Sequence, residues 1–183
     1  MRKRTYYKGI CCLAFLLPLS LFAQTLKSPE GDWQLSFTLE RGKPMVKVYH
    51  RDEVVMPLRN VGLTLVGDSP SLDADFMGQQ AGASAPVPSD EYREMSVNLF
   101  QRTTARQLTL HFRLSEGRAC LRYEFPDQNT LSDFTILFDG KPLTLHAPAE
   151  TPWLMLTGKA LPDKETRTGF WSRVKRWFSK KKS

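Results

Sequence analysis

Carboxylates, histidines, one thiol and a few aromatic rings are the groups in this chain that could do chemistry. Paired carboxylates supply the acid and the base of hydrolytic reactions. The candidates are Asp73 with Asp75, Asp90 with Glu91, and Asp133. All fall in loops or at strand ends, where solvated charge is the simpler reading. Asp68, Asp73 and Asp75 crowd one loop, but their spacing matches no EF-hand and no glycine stands at the turn position. His50, His111 and His146 are far apart, without the His-x-x-x-His spacing or cysteine neighbour of a metal site. Cys120 would need a base beside it to act as a nucleophile, and the sequence names none. There is no glycine-rich phosphate loop and no Gly-x-Ser-x-Gly elbow. Hence no catalytic residue, metal ligand or cofactor is assigned.

The aromatic residues carry more. Trp33 and Tyr123 fall on apolar strand faces and read as core. Tyr92 borders a long loop and Trp153 sits in a late apolar island, so these two are the candidate exposed rings for stacking on a carbohydrate. The strongest local signal is the C-terminal stretch FWSRVKRWFSKKKS. At about 100° per residue, Phe170, Trp171, Val174, Trp177 and Phe178 share one arc of about 120°. Arg173, Lys175, Arg176, Lys180 and Lys182 take the remainder, and Lys181 breaks into the stripe at its end. Thr168 can cap the start, and the terminal lysines suit the helix dipole. This pattern predicts a basic amphipathic helix of the interfacial type. An anionic membrane surface, the chain's own domain or a partner protein could receive it.

The other terminus bears on that choice. MRKRTYYK is a basic segment, and ICCLAFLLPLSLF (10–22) is an apolar run shorter than the roughly 20 residues a spanning helix needs. Ala23 offers a small residue at a cleavage position, with Gln24 following it. Residues 1–23 therefore read as a secretory signal peptide, although Leu21 stands where a smaller residue is usual and an uncleaved anchor is the alternative. Cys11 and Cys12 precede most of the apolar run and do not mark lipoprotein acylation. The expectation is an exported protein, periplasmic or envelope-associated, and export takes it away from nucleic acid.

Charge follows the same division. The chain carries a formal +7, and the leader contributes Arg2, Lys3, Arg4 and Lys8, which leaves +3 without it. The tail holds six basic residues and no acid, so residues 24–169 come to −3. The body is mildly acidic and has no cationic surplus from which to build a nucleic-acid face. Without the leader, 160 of the 183 residues remain, enough for one domain with a real core. Cys120 is then the one cysteine, so no internal disulfide is available.

The elements that must position these groups are strands. WQLSFTL (33–39), QLTLHFRL (107–114) and ACLRYEF (119–125) alternate apolar and polar residues, as half-buried strands do. Val46 and Val48, Glu53–Met56, Val61–Val66, EMSVNLF and LSDFTILF add further short strands. The turns fall at ERGKP, His50-Arg51-Asp52, SEGR and Asp139-Gly140. Residues 67–91 lose all periodicity and read as a long loop. No helical period appears before residue 164. The fold class expected is all-β, an antiparallel β-sandwich over residues 24–146. Residues 147–169 are expected as a linker or last edge strand, and 170–183 as the short basic amphipathic helix.

Several of these stretches, taken in order, resemble the N-terminal domain of glycoside hydrolase family 97. They are Ser28-Pro29-Glu30-Gly31, Val61-Gly62-Leu63, EYREMSVNLF, and Leu121-Arg122-Tyr123-Glu124-Phe125-Pro126. The resemblance covers residues 26–139. It implies a supersandwich of the sugar-mutarotase type in a family acting on α-glucosides and α-galactosides. In that family a following TIM barrel holds the catalytic carboxylates and most calcium ligands, and no barrel sequence occurs here. The family's Trp-rich segment before the EYREM-like strand is replaced by GQQAGASAPVPSD, and the stretch after YEFP departs as well. The resemblance therefore implies ancestry, fold and a sugar-facing surface, and argues against hydrolase activity. The function expected is a non-catalytic carbohydrate-binding or accessory protein of the cell envelope, with an α-linked glycan as ligand. The alternative is a membrane-peripheral or protein-interaction module acting through the tail.

Overall fold

The computed structural model describes residues 23–68, 70–78 and 90–157. Every regular element among them is a strand. In chain order these are β1 (Ala23–Lys27), β2 (Trp33–Glu40), β3 (Lys43–His50), β4 (Glu53–Asn60), β5 (Phe76–Gly78) and β6 (Arg93–Gln101), followed by β7 (Gln107–Ser115), β8 (Arg118–Phe125), β9 (Asp133–Phe138), β10 (Lys141–His146), β11 (Ala149–Glu150) and β12 (Leu154–Thr157). All pairings between them are antiparallel. Strands β1 to β4 form a four-stranded sheet in chain order, and β9 and β10 form a ribbon. A six-stranded sheet runs β11-β8-β7-β6-β5, with β12 also paired to β8. The predicted leader and the predicted C-terminal helix lie outside the described residues, except that Ala23, expected to close the leader, begins β1.

Local chemistry fixes the hairpins. Arg41-Gly42, Arg51-Asp52 and Asp139-Gly140 all have positive φ at both positions, the type I′ geometry whose twist matches the flanking strands. The closing pairs are Glu40 with Lys43, His50 with Glu53, and Phe138 with Lys141. Once a two-residue turn is set, side-chain alternation assigns each strand face.

The two larger sheets turn their apolar faces toward each other in a sandwich-like arrangement. Leu35, Phe37, Val46 and Val48 on one side, and Val97, Leu110, Phe112 and Leu121 on the other, are fully buried. Phe37 and Phe112 meet across the layers with ring centroids 5.8 Å apart. Burying one such side chain stabilises by about 1.5–3 kcal/mol. Trp33, expected in the core, is half-buried at its margin and stacks on His50, with centroids 4.8 Å apart. Tyr123 is buried, and its hydroxyl donates to the Val61 carbonyl at 2.9 Å.

The structure departs from the sequence reading in the middle of the chain. Val61, Leu63 and Leu65 are buried in alternation as expected, yet they make isolated bridges, Leu63 to Leu72 and Leu65 to Ile136, instead of a strand. Part of the expected loop is ordered by polar anchors. Gln101 is buried and donates to the carbonyls of Ser71 and Ala74 at 2.7 and 3.0 Å. Buried Arg106 reaches the Pro70 carbonyl at 2.8 Å and the Asp68 carboxylate at 2.6 Å. These contacts seat Leu72 and Phe76 in the core and let β5 pair with β6. Such anchoring leaves no periodic signal in the loop sequence. Beyond residue 146, β11 and β12 return along the free edge of β8.

Candidate functional site

The outer face of the six-stranded sheet gathers most of the polar chemistry. Residues Met95, Val97 and Leu99 of β6 point inward, so Glu94, Ser96 and Asn98 point outward. The same alternation turns Thr109, His111 and Arg113 of β7, and Cys120, Arg122 and Glu124 of β8, to that face. Register then aligns them across strands. Glu94 lies opposite Arg113 and Ser96 opposite His111, while Arg113 faces Cys120 and His111 faces Arg122.

Arg113 is the centre of one cluster. Its Nε and Nη2 both donate to Glu94 Oε1, at 2.7 and 2.5 Å. Its guanidinium lies 4.1 Å from the Tyr92 ring centroid and 4.5 Å from that of Trp153, within cation–π range. Arg122 lies 4.9 Å from the same indole and donates to Glu150 at 2.6 Å. The two rings singled out from sequence thus share one guanidinium, although one precedes β6 and the other precedes β12. Thr151 brings the second ring in: its amide donates to the Tyr123 carbonyl at 2.9 Å, and its hydroxyl accepts from the Tyr123 amide at 3.1 Å. Trp153 therefore enters beside the outward face of β8. Both rings are half-buried. Arg122 Nε is buried without a hydrogen-bond partner among the described residues.

A second cluster was not legible as a site. Ser96 Oγ lies 2.8 Å from His111 Nδ1, and His111 Nε2 lies 2.5 Å from Glu124 Oε2. Hydroxyl, imidazole and carboxylate in series are the parts of an acyl-transfer triad. Here they sit at mid-strand on the face of a sheet, away from any sharp turn that would aim a nucleophile into a cleft. The chain of contacts braces three strands. His111 is thus not alone, as its sequence context implied. The Glu116-Gly117 turn sets the β7–β8 register and makes Glu124 its diagonal neighbour, a signal present in the sequence.

The other candidates engage separate partners. Asp75 accepts from Arg102, from the Thr103 amide and from the Thr103 hydroxyl. These hydrogen bonds, Thr103's first, hold its carboxyl below the usual carboxylate range. Asp68 pairs with Arg106, and Asp133 with His146 at 2.6 Å. Asp68 and Asp75 have specific cationic partners, while Asp133, its side chain 77% exposed, remains solvated charge beside an equally exposed His146. Burial pushes the Cys120 thiol up, which keeps it protonated and a poor nucleophile. Among the described residues no three His, Cys, Asp or Glu side chains converge as a metal would require. The contact residues expected between Phe170 and Lys180 lie outside the described residues.

What this face can do chemically is stack and hydrogen-bond. Flat rings can stack on apolar surface, and arginines and carboxylates can donate to or accept from hydroxyls. Solved structures with the same fold are carbohydrate enzymes. A glycoside hydrolase family 97 enzyme from Pseudoalteromonas sp. strain K8, in complex with panose, superposes with a TM-score of 0.51 at 18% identity. The match covers 68% of this chain and 20% of that one. The same holds for its complex with acarbose. A beta-arabinopyranosidase gives a TM-score of 0.51 at 16% identity, over 62% of this chain and 20% of that one. This chain therefore spans about a fifth of the length of those enzymes, and at these identities the likeness establishes fold alone. The sequence also matches the family described as Glycosyl-hydrolase 97 N-terminal over residues 26–177. With more than half of its length in that match, the chain belongs to the glycosyl-hydrolase 97 N-terminal family.

Proposed function

We propose that this protein is a non-catalytic carbohydrate-binding or accessory protein of the cell envelope. Its sheets form a mutarotase-type supersandwich, and the outer face of the six-stranded sheet is its binding surface. The observation that carries the reading is the convergence of Tyr92 and Trp153 on Arg113. Two rings joined by a guanidinium make a platform, and Glu94, Arg122 and Glu150 surround it with donors and acceptors. The ligand class proposed is an α-linked glycan. Panose and acarbose, named with the family 97 neighbours, are the first probes. Export to the periplasm or envelope rests on the leader-like residues 1–23.

Calorimetric titration of the full-length chain with panose and acarbose, after an array of α-glucans, tests this. Trp153→Ala is expected to weaken binding by about tenfold or more, corresponding to roughly 1.4 kcal/mol or more. Equal binding by wild type and variant would move the site elsewhere. No binding to any glycan would sink the carbohydrate reading.

A second reading gives the function to the basic aromatic segment Phe170–Lys180 at an anionic membrane surface. Its support is the apolar arc ringed by cations, each contributing on the order of 1 kcal/mol near such a surface.

A further inference from the structure

A groove beside β12 bears on that segment. The sandwich-like arrangement has an open side where β12 approaches β4. A pocket of about 270 Å³ opens there, lined by apolar Leu63, Leu137, Leu154 and Met155 and by polar Arg59 and Asp139. Leu137 and Met155 are 43% and 41% exposed. Apolar residues gathered at one opening mark a contact surface more than scattered ones do. The volume lies just below the roughly 300–1,000 Å³ of small-molecule sites. It suits one or two large side chains better than an oligosaccharide.

We infer that the segment Phe170–Phe178 of this same chain docks in the groove between β4 and β12, seating its tryptophans against Leu137 and Met155. Strand β12 is one wall of the groove and ends at Thr157. Residues 158–169 then join it to the segment. Twelve residues span at most about 40 Å when extended, ample to return to the groove. The family match does not stop at β12 but runs on to residue 177 and so takes in most of the segment. Net charge agrees, residues 24–169 carrying −3 and the tail six cations, while the groove wall itself holds one charge of each sign, Asp139 and Arg59. A helix this short is marginal alone in water, and exposed Leu137 and Met155 offer it apolar contacts at the groove.

Hydrogen exchange on the full-length chain tests the docking. Amides of 170–178 and of β12 are expected to be protected in the wild type without lipid. Exchange at both is expected to be about tenfold faster or more in Trp171→Ser/Trp177→Ser, whose substitutions lie outside the sheets, and in Leu137→Glu, whose side chain is already half exposed. Equal exchange in wild type and variants overturns the inference. Protection of 170–178 that appears only after vesicles of phosphatidylglycerol are added also overturns it, and assigns the segment to membranes. So does a segment unprotected under both conditions.

Discussion

Burial holds the Tyr123 phenol protonated well above the usual range, with Arg59 opposing the shift only in part. A raised folded-state pKa means that folding favours the neutral phenol. That contribution is complete below the unfolded value of about 10 and is lost as pH rises beyond it. Tyr123→Phe leaves the Val61 carbonyl without its donor and is expected to cost about 1–3 kcal/mol at neutral pH. Urea unfolding should show the gap between wild type and variant narrowing above about pH 10, because only the wild type has a phenol to ionise. Asp75 runs the other way. Its depressed pKa stabilises the fold above the unfolded value of about 3.9, and this stabilisation is lost as pH falls through the folded value. Asp75 also holds a positive φ, which Asn tolerates as well. Asp75→Asn should therefore keep the backbone and flatten the acid side of the stability profile, as measured by chemical unfolding between about pH 5 and pH 2.

At the scale of elements, the stretch between β4 and β5 depends on one close approach. A Cβ on Gly62 would come within 2.3 Å of Asp73 Cα and 2.7 Å of the Leu72 carbonyl oxygen. Glycine lets the Leu63 amide reach that same oxygen at 2.7 Å, and Asn60 clasps both sides, accepting from Gly62 and donating to the Asp73 carbonyl. Gly62→Ala is expected to destabilise by about 1–3 kcal/mol, with faster hydrogen exchange at Leu63 as the check. This also gives the Val61-Gly62-Leu63 motif, which helped to suggest the family, a physical meaning. The hairpins were legible for a related reason. Arg41-Gly42 and Asp139-Gly140 are two-residue turns with glycine second, and they fix the pairing on either side. The β5 strand was not legible, because Gln101 and Arg106, distant in sequence, hold the segment that leads into it, residues 70–74.

At the scale of the molecule, the core of the described residues is one continuous cluster joining both larger sheets. Phe112→Ala removes the ring that meets Phe37 at its centre and is expected to cost about 3–5 kcal/mol, read as a lowered urea midpoint with an unchanged slope. The sequence by itself determined which residues face inward, because alternation in β2, β7 and β8 is a local property of a pleated chain. It also marked Tyr92 and Trp153 as rings outside that pattern. Tertiary structure alone decided that these rings meet over Arg113. Their meeting requires β12 to lie beside β8 and not beside β10, its predecessor ribbon. Alternation and turns specify the faces of a strand and the partner across a hairpin, but strand order between distant segments is set by how the sheets close around a shared core.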